Sequence, residues 1–337
     1  MHGAWKHRVA EVFGSCAAQG YIGLSQPSRD QTFIQPNPVF VSASLQLNKN
    51  KIGAASATAL VQPLGALTAL TALDLGGNSI GAAGAKSLAT SLSHLSGLAT
   101  LGLSHSVIGA AGAAALAQPL GALTALTALK LGGTGLDPAG AGSLAPSLSR
   151  LSRLARLQLF WNNIGAAGAA ALAQPLGALT ALEVLELTGN GLGPAGAEAL
   201  APALSRLSRL ADLQLRRNHI GAAGAAALAQ PLGALTALTQ LHLGWNHISA
   251  VGAVSIAPAL SRLTRLEILF LSTNEFVDAD LTALTPALAC LTNLRYGCVQ
   301  VGHDFSSEAG AQVRCSVPAH VAGAMRFHSY SKEDSGE

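Results

Sequence analysis

At 337 residues and a formal net charge of +3, the chain has room for two or three globular domains or for one long repeat array. Apolar residues make up 50% of it, while aromatics are 4% and charged residues 11%, under half the usual charged share. A disordered polar chain and a densely basic nucleic-acid surface are therefore both excluded, and a core drawn from Ala and Leu has to be thin and regular.

Residues 1–41 contain no repeat and include the linker-like stretch QPNPVF at 35–40, which predicts an N-terminal cap or a partly disordered extension. Lys6, Arg8 and Glu11 interrupt the opening residues, so no signal-peptide core is expected there. From residue 42 a pattern LxLxxNxI takes over, with first leucines at Leu45, Leu73, Leu101, Leu129, Leu157, Leu185, Leu213, Leu241 and Leu269, all at one constant spacing without insertion. The Asn position holds Asn50, Asn78, Asn162, Asn190, Asn218, Asn246 and Asn274, with Ser106 and Thr134 as substitutes. The segment IGAAGAAALAQPLGALTAL is identical at 108–126, 164–182 and 220–238, the mark of tandem duplication. Repeats ending in QPLGALTAL alternate with repeats ending in versions of SLSRLSRL, so the duplicated unit spans two coils.

Each position has a mechanical reading. LxL alternation predicts a short strand with its leucines on one face and the x residues on the other. Asn at a fixed offset can hydrogen-bond backbone where the chain leaves the strand, giving a ladder from coil to coil. The glycines permit a tight turn and close packing. The Ala/Leu run that follows is helical in spacing: Leu116, Leu120 and Leu123 fall at i, i+4 and i+7. Pro63, Pro119, Pro175 and Pro231 in one repeat type, and Pro146, Pro202, Pro258 and Pro286 in the other, predict helices of about two turns that end near each proline.

After Leu294 the leucine spacing lapses. Val299, Val301 and Gly310 read as a tenth, degraded copy displaced by two residues, and the closing SYSKEDSGE as a solvated tail. The expected division is an N-terminal cap over 1–41, a repeat domain over 42–296, and a degraded cap repeat with a disordered tail over 297–337. Cys16, Cys290, Cys298 and Cys315 show no CxxC spacing, which fits reduced thiols and a cytoplasmic location. Residues 218–261 carry no Asp, Glu, Lys or Arg, yet Gly, Pro231, Gln230, His242 and Asn246 break the stretch, so it reads as repeat rather than membrane span.

These repeats resemble leucine-rich repeats of the ribonuclease-inhibitor-like class. Their N-x-I-G-x-x-G-A-x-x-L-A core is similar to the repeats of Ran GTPase-activating proteins and to the C-terminal repeats of NOD-like receptors, over residues 42–296. The resemblance implies an α/β horseshoe of nine 28-residue repeats, with parallel strands on the concave face and short helices on the convex face. It says little about function, since that class binds many unrelated partners.

No catalytic constellation has usable spacing: GxxxxGKS/T, GxGxxG after a strand, GxSxG, HExxH and paired carboxylates on a helix face are all lacking. No cofactor or metal is expected. His219, His242 and His247 are the one local histidine group, and they are not expected to converge on a metal, because His242 points to the concave side while the other two lie beside the Asn ladder.

The outward strand positions are more informative. In the first four copies they are mostly small, as in Ala72, Gly76, Gly77, Gly102, Gly132 and Gly133. From the fifth copy they become large: Arg156, Gln158, Phe160 and Trp161, then Glu186, then Asp212, Gln214, Arg216 and Arg217, then His242 and Trp245, and finally Phe270. Parallel neighbours lie about 4.8 Å apart, so equivalent positions stack in columns. One column reads Trp161, Gly189, Arg217, Trp245, which predicts Arg217 over Trp245 as a cation–π pair. Trp and Arg are the types that dominate interface energetics, and a constant scaffold beneath a varied face is the arrangement of a binding surface. The plainer alternative is drift, since exposed positions in a young duplication change first.

Arg150, Arg153, Arg206, Arg209, Arg262 and Arg265 form a second series, a pair recurring at the two-coil spacing in three successive units, which reads either as a basic rail for an anionic partner or as cations that suit helix C-termini and keep the chain soluble. The leading expectation is a scaffold holding a protein partner on the concave face of repeats five to nine. The alternatives are a Ran-type activator of a small GTPase and a fragment of a NOD-like sensor, although the nucleotide-binding loop of such sensors does not occur in this sequence.

Overall fold

In the computed structural model the described residues are 43–276, 278–300 and 325–328; residues 1–41 and the SYSKEDSGE segment lie outside them. The chain divides into two compact units, Met1–Arg156 and Leu157–Glu337. In the first, strands β1 (Ala43–Gln46), β2 (Leu70–Asp74), β3 (Thr100–Gly102) and β4 (Ala128–Lys130) lie side by side in sequence order, all parallel. Between and after them run α1 (Ala54–Ala59), α2 (Val61–Ala66), α3 (Gly81–Leu92), α4 (Gly109–Ala122) and α5 (Pro138–Leu148).

After β5 (Arg156–Gln158), the second unit continues with α6 (Gly165–Ala178), β6 (Val184–Glu186), α7 (Gly193–Leu204), β7 (Asp212–Gln214) and α8 (Gly221–Ala234). It closes with β8 (Gln240–His242), α9 (Ser249–Leu260), β9 (Ile268–Phe270), α10 (Asp278–Ala289), β10 (Tyr296–Gln300) and β11 (Met325–His328). Leu185, Leu213, Leu241 and Leu269 stand opposite one another, strand to strand. Each unit is thus an α/β solenoid of parallel strands, as the constant period requires.

The first leucines of the strands from Leu73 to Leu269 are fully buried, and so are the isoleucines after the Asn positions, such as Ile80, Ile164 and Ile220. The asparagines bind the coils together. Asn218 is buried; its Oδ1 accepts from the backbone N–H of Asn190 at 2.9 Å, and its Nδ2 donates to the carbonyls of Leu187 at 2.9 Å and Leu215 at 3.0 Å. Asn246 and Asn274 repeat the pattern. A side chain that is both donor and acceptor satisfies buried backbone groups that no strand or helix reaches. Ser106 and Thr134 keep part of the bonding, donating to Leu75 at 3.2 Å and Leu131 at 2.7 Å.

The helices correct one expectation. They do end two or three residues after each proline, but from α3 onward they run 11 to 14 residues, not about two turns. The extra turn lies in the Gly-Ala-Ala-Gly-Ala stretch, which is helical. Its first glycine makes the turn: Gly109 has φ +61°. Its second serves close packing. A Cβ on Gly112 would lie 2.8 Å from Ile108 Cβ and 3.2 Å from Ala85 Cβ on α3, so only a hydrogen fits between the helices. Proline is tolerated because it falls in the final turn, where a single helical hydrogen bond is lost. The first copy alone breaks, at Leu60 between α1 and α2.

The strand spacing also outlasts the leucines. β10 sets Gly297 opposite Leu269, and β11 sets Met325 opposite Gly297, so both keep the repeat register. Of the displaced copy expected at Val299, Val301 and Gly310, the last two lie outside the described residues; β10 itself stays in register with glycine at the leucine position, because a parallel ladder is held by backbone hydrogen bonds.

Candidate functional site

The exposed strand face of the second unit is shaped first by the backbone. The residue preceding each Asn position adopts left-handed φ in every copy from Lys49 to Thr273, including Trp161 at +51°, Gly189 at +68°, Arg217 at +55° and Trp245 at +60°. Its N–H still bonds the next strand, as in Trp161 to the Thr188 carbonyl at 2.7 Å and Trp245 to the Ser272 carbonyl at 2.9 Å. The strand therefore turns just after its last ladder bond, and the side chain at this position lies along the column rather than into the core.

In that column the Arg217 guanidinium sits between two indoles, 4.3 Å from the Trp245 ring centroid and 5.6 Å from that of Trp161. The expected Arg217–Trp245 contact is present, and Trp161 joins it from two strands away. Gly189 makes this reach possible. A Cβ there would stand 2.7 Å from Trp161 Cε3, so the indole lies over a bare backbone. Trp161 and Trp245 are 52% and 41% exposed, which leaves the sandwich open to solvent.

Arg216 repeats the device one residue earlier. Its Nε passes 3.7 Å from where a Cβ on Gly244 would be, and its guanidinium approaches the Phe270 ring at 5.9 Å. Phe270 stacks on His242 with centroids 4.7 Å apart and meets Tyr296 at 5.3 Å. Burial first, and the Arg216 charge second, push the His242 pKa from 6.5 down to about 4, so the ring is neutral at pH 7. Carboxylates on this face take amide donors: Gln158 Nε2 donates to Glu186 Oε1 at 2.7 Å, and Gln214 Nε2 to Asp212 Oδ2 at 3.1 Å. A depression of about 520 Å³ opens here, lined by Phe160, Trp161, Glu186, Thr188, Gln214, Arg216 and Arg217.

The structure thus brings together most of the residues expected from the sequence. Trp161, Arg217 and Trp245 are exposed, whereas Gln158, Phe160, Glu186, Asp212, Gln214, Arg216, His242 and Phe270 are half-buried. Arg156 is exposed and closes the first unit. Tyr296 and Thr188 went unnoticed; each stands one repeat after an outward strand position, Tyr296 after Ile268 and Thr188 after Phe160, so the repeat spacing was a sufficient signal.

His219 and His247 stack at 5.2 Å, and His247 Nδ1 contacts Glu275 Oε1. Among the described residues no group of three or more His, Cys, Asp or Glu is placed to hold a metal ion, and no helix is long and apolar enough to cross a membrane. The arginine series stays exposed, and one member of each pair has a packing role. Cδ of Arg150, Arg206 and Arg262 lies 3.4 Å from the Cβ positions of Gly121, Gly177 and Gly233, so the aliphatic stems cover the helix glycines of the preceding repeat. Cys290 is an exposed free thiol; Cys16 and Cys315 lie outside the described residues.

Residues 66–89, 154–173, 178–201, 210–229 and 234–257 match the Leucine Rich repeat family. Among solved structures the chain is similar to an internalin from Listeria monocytogenes, with 20% identity over 86% of this chain and 87% of the other and a TM-score of 0.42. No curated protein matches it. With the strand register, the Asn ladder and the family match in agreement, this chain carries leucine-rich repeats folded as a parallel α/β solenoid.

Proposed function

We propose that the chain is a non-enzymatic scaffold that holds a protein partner on the exposed strand face of its second unit. The observation that carries this reading is the Trp161–Arg217–Trp245 sandwich, open to solvent beside a depression and built on a framework whose sequence is repeated letter for letter. Leucine-rich repeats generally present such faces to proteins, and a preordered aromatic and arginine cluster loses little side-chain entropy on binding.

Pull-down from lysate with wild type and with the Trp161→Ala/Arg217→Ala/Trp245→Ala variant tests it. Partners should be lost in the variant while its circular dichroism stays that of wild type; partners retained by both proteins refute the site, and no partner for either favours drift. The repeat sequences resemble those of the ribonuclease-inhibitor-like class, of Ran GTPase-activating proteins and of NOD-like receptors, which adds a small GTPase as a candidate partner and a cytoplasmic setting. Accelerated GTP hydrolysis by candidate GTPases checks that reading.

A further inference from the structure

We infer that the strand-face depression recognises a carboxylate, and that the partner it fits is a protein segment presenting an Asp or Glu side chain beside an apolar one; this rests on the scaffold reading above. Two guanidiniums, Arg216 and Arg217, line the same depression, and neither forms an ion pair among the described residues. The strand acids Glu186 and Asp212 bond glutamines instead of these arginines: Glu186 accepts from Gln158 and Asp212 Oδ2 from Gln214. Two cations on one face are thus left without a directly bridging carboxylate, although carboxylates stand one strand away and within their own.

Their surroundings sharpen the chemistry. Arg217 lies over two indoles, and contact with ring faces leaves its N–H donors available to a carboxylate in fork geometry. Arg216 is laid across Gly244 toward Phe270, and its Nε is buried without a hydrogen-bond partner, as is Thr188 Oγ1 in the same depression. A buried donor without an acceptor is costly, and an anionic oxygen entering the depression supplies one. Phe160 and Trp161 provide the apolar wall for the neighbouring side chain. The depression, about 520 Å³, holds one or two side chains rather than a folded element.

The probe is a set of immobilised extended peptides with a fixed Glu or Asp next to Leu or Phe, beside matched sets carrying Gln or Asn and sets carrying phosphoserine. Wild type should retain the carboxylate set about tenfold more strongly than the amide set, with retention falling as salt rises. Arg216→Gln/Arg217→Gln should abolish that preference, while Trp161→Ala/Trp245→Ala should weaken both sets; circular dichroism confirms that each variant is folded. Equal retention of carboxylate and amide peptides overturns the inference, and so does a preference that survives the double Arg variant or a stronger preference for phosphoserine. If lysate partners are lost in the triple alanine variant but held undiminished by Arg216→Gln/Arg217→Gln, the carboxylate inference falls while the scaffold reading stands. If folded wild type captures neither peptides nor lysate proteins, both fall.

Discussion

Replacing Gly189 by alanine tests how the aromatic column is built. Gly189 has φ +68°, and its added methyl would stand 2.7 Å from Trp161 Cε3 and 3.1 Å from Cζ3. Two costs follow. Left-handed backbone with a Cβ costs about 1–2 kcal/mol. Trp161 must also lift off the backbone and leave Arg217, whose exposed cation–π contact is worth about 0.5–1 kcal/mol. The expected loss is about 2 kcal/mol, read from urea midpoints followed by tryptophan fluorescence. The second cost exists only while Trp161 is present, so Gly189→Ala in a Trp161→Ala background should be milder by about 1 kcal/mol, a coupling that a double-mutant cycle isolates. Equal costs in both backgrounds would show that the indole does not rest on Gly189 and would remove the structural basis of the sandwich.

Asn218→Ala removes one accepted and two donated buried hydrogen bonds, and urea unfolding should show a loss of about 3–5 kcal/mol; Asn218→Ser, imitating Ser106, should cost less. Gly112→Ala gains about 1 kcal/mol in helix propensity, yet the added methyl collides with Ile108 and Ala85, so a net loss of about 1–2 kcal/mol is expected in the same assay. Because the folded-state pKa of His242 is lowered from 6.5 to about 4, the unfolded chain binds the proton first on acidification. Stability should fall from pH 6.5 toward 4 and the His242→Gln variant should fall less, as compared by urea midpoints at pH 7 and pH 5. Arg206→Ala exposes Gly177, which should shift stability by no more than about 0.5 kcal/mol and leave partner capture intact.

The solenoid follows from the repeat pattern alone, because an unbroken period puts every leucine, asparagine and glycine in the same place in successive coils, and parallel pairing then repeats the contacts. The pattern also dictates which side chains stack, since equivalent positions in neighbouring coils must be adjacent; the Arg217–Trp245 pair followed from that alone. Helix length was not legible. Gly-Ala-Ala-Gly-Ala has weak intrinsic preference for helix, and it becomes helical because Gly112 lets α4 pack against α3, a gain that exists only between coils. The register of β10 was hidden for a related reason: Gly297 and Met325 carry no leucine signal, and the backbone ladder places them. That Trp161 reaches past Gly189 to close on Arg217, and that Glu186 and Asp212 bond glutamines instead of bridging to Arg216 or Arg217, emerges only in three dimensions, because side-chain direction across a bare backbone is set in space and not by position along the chain.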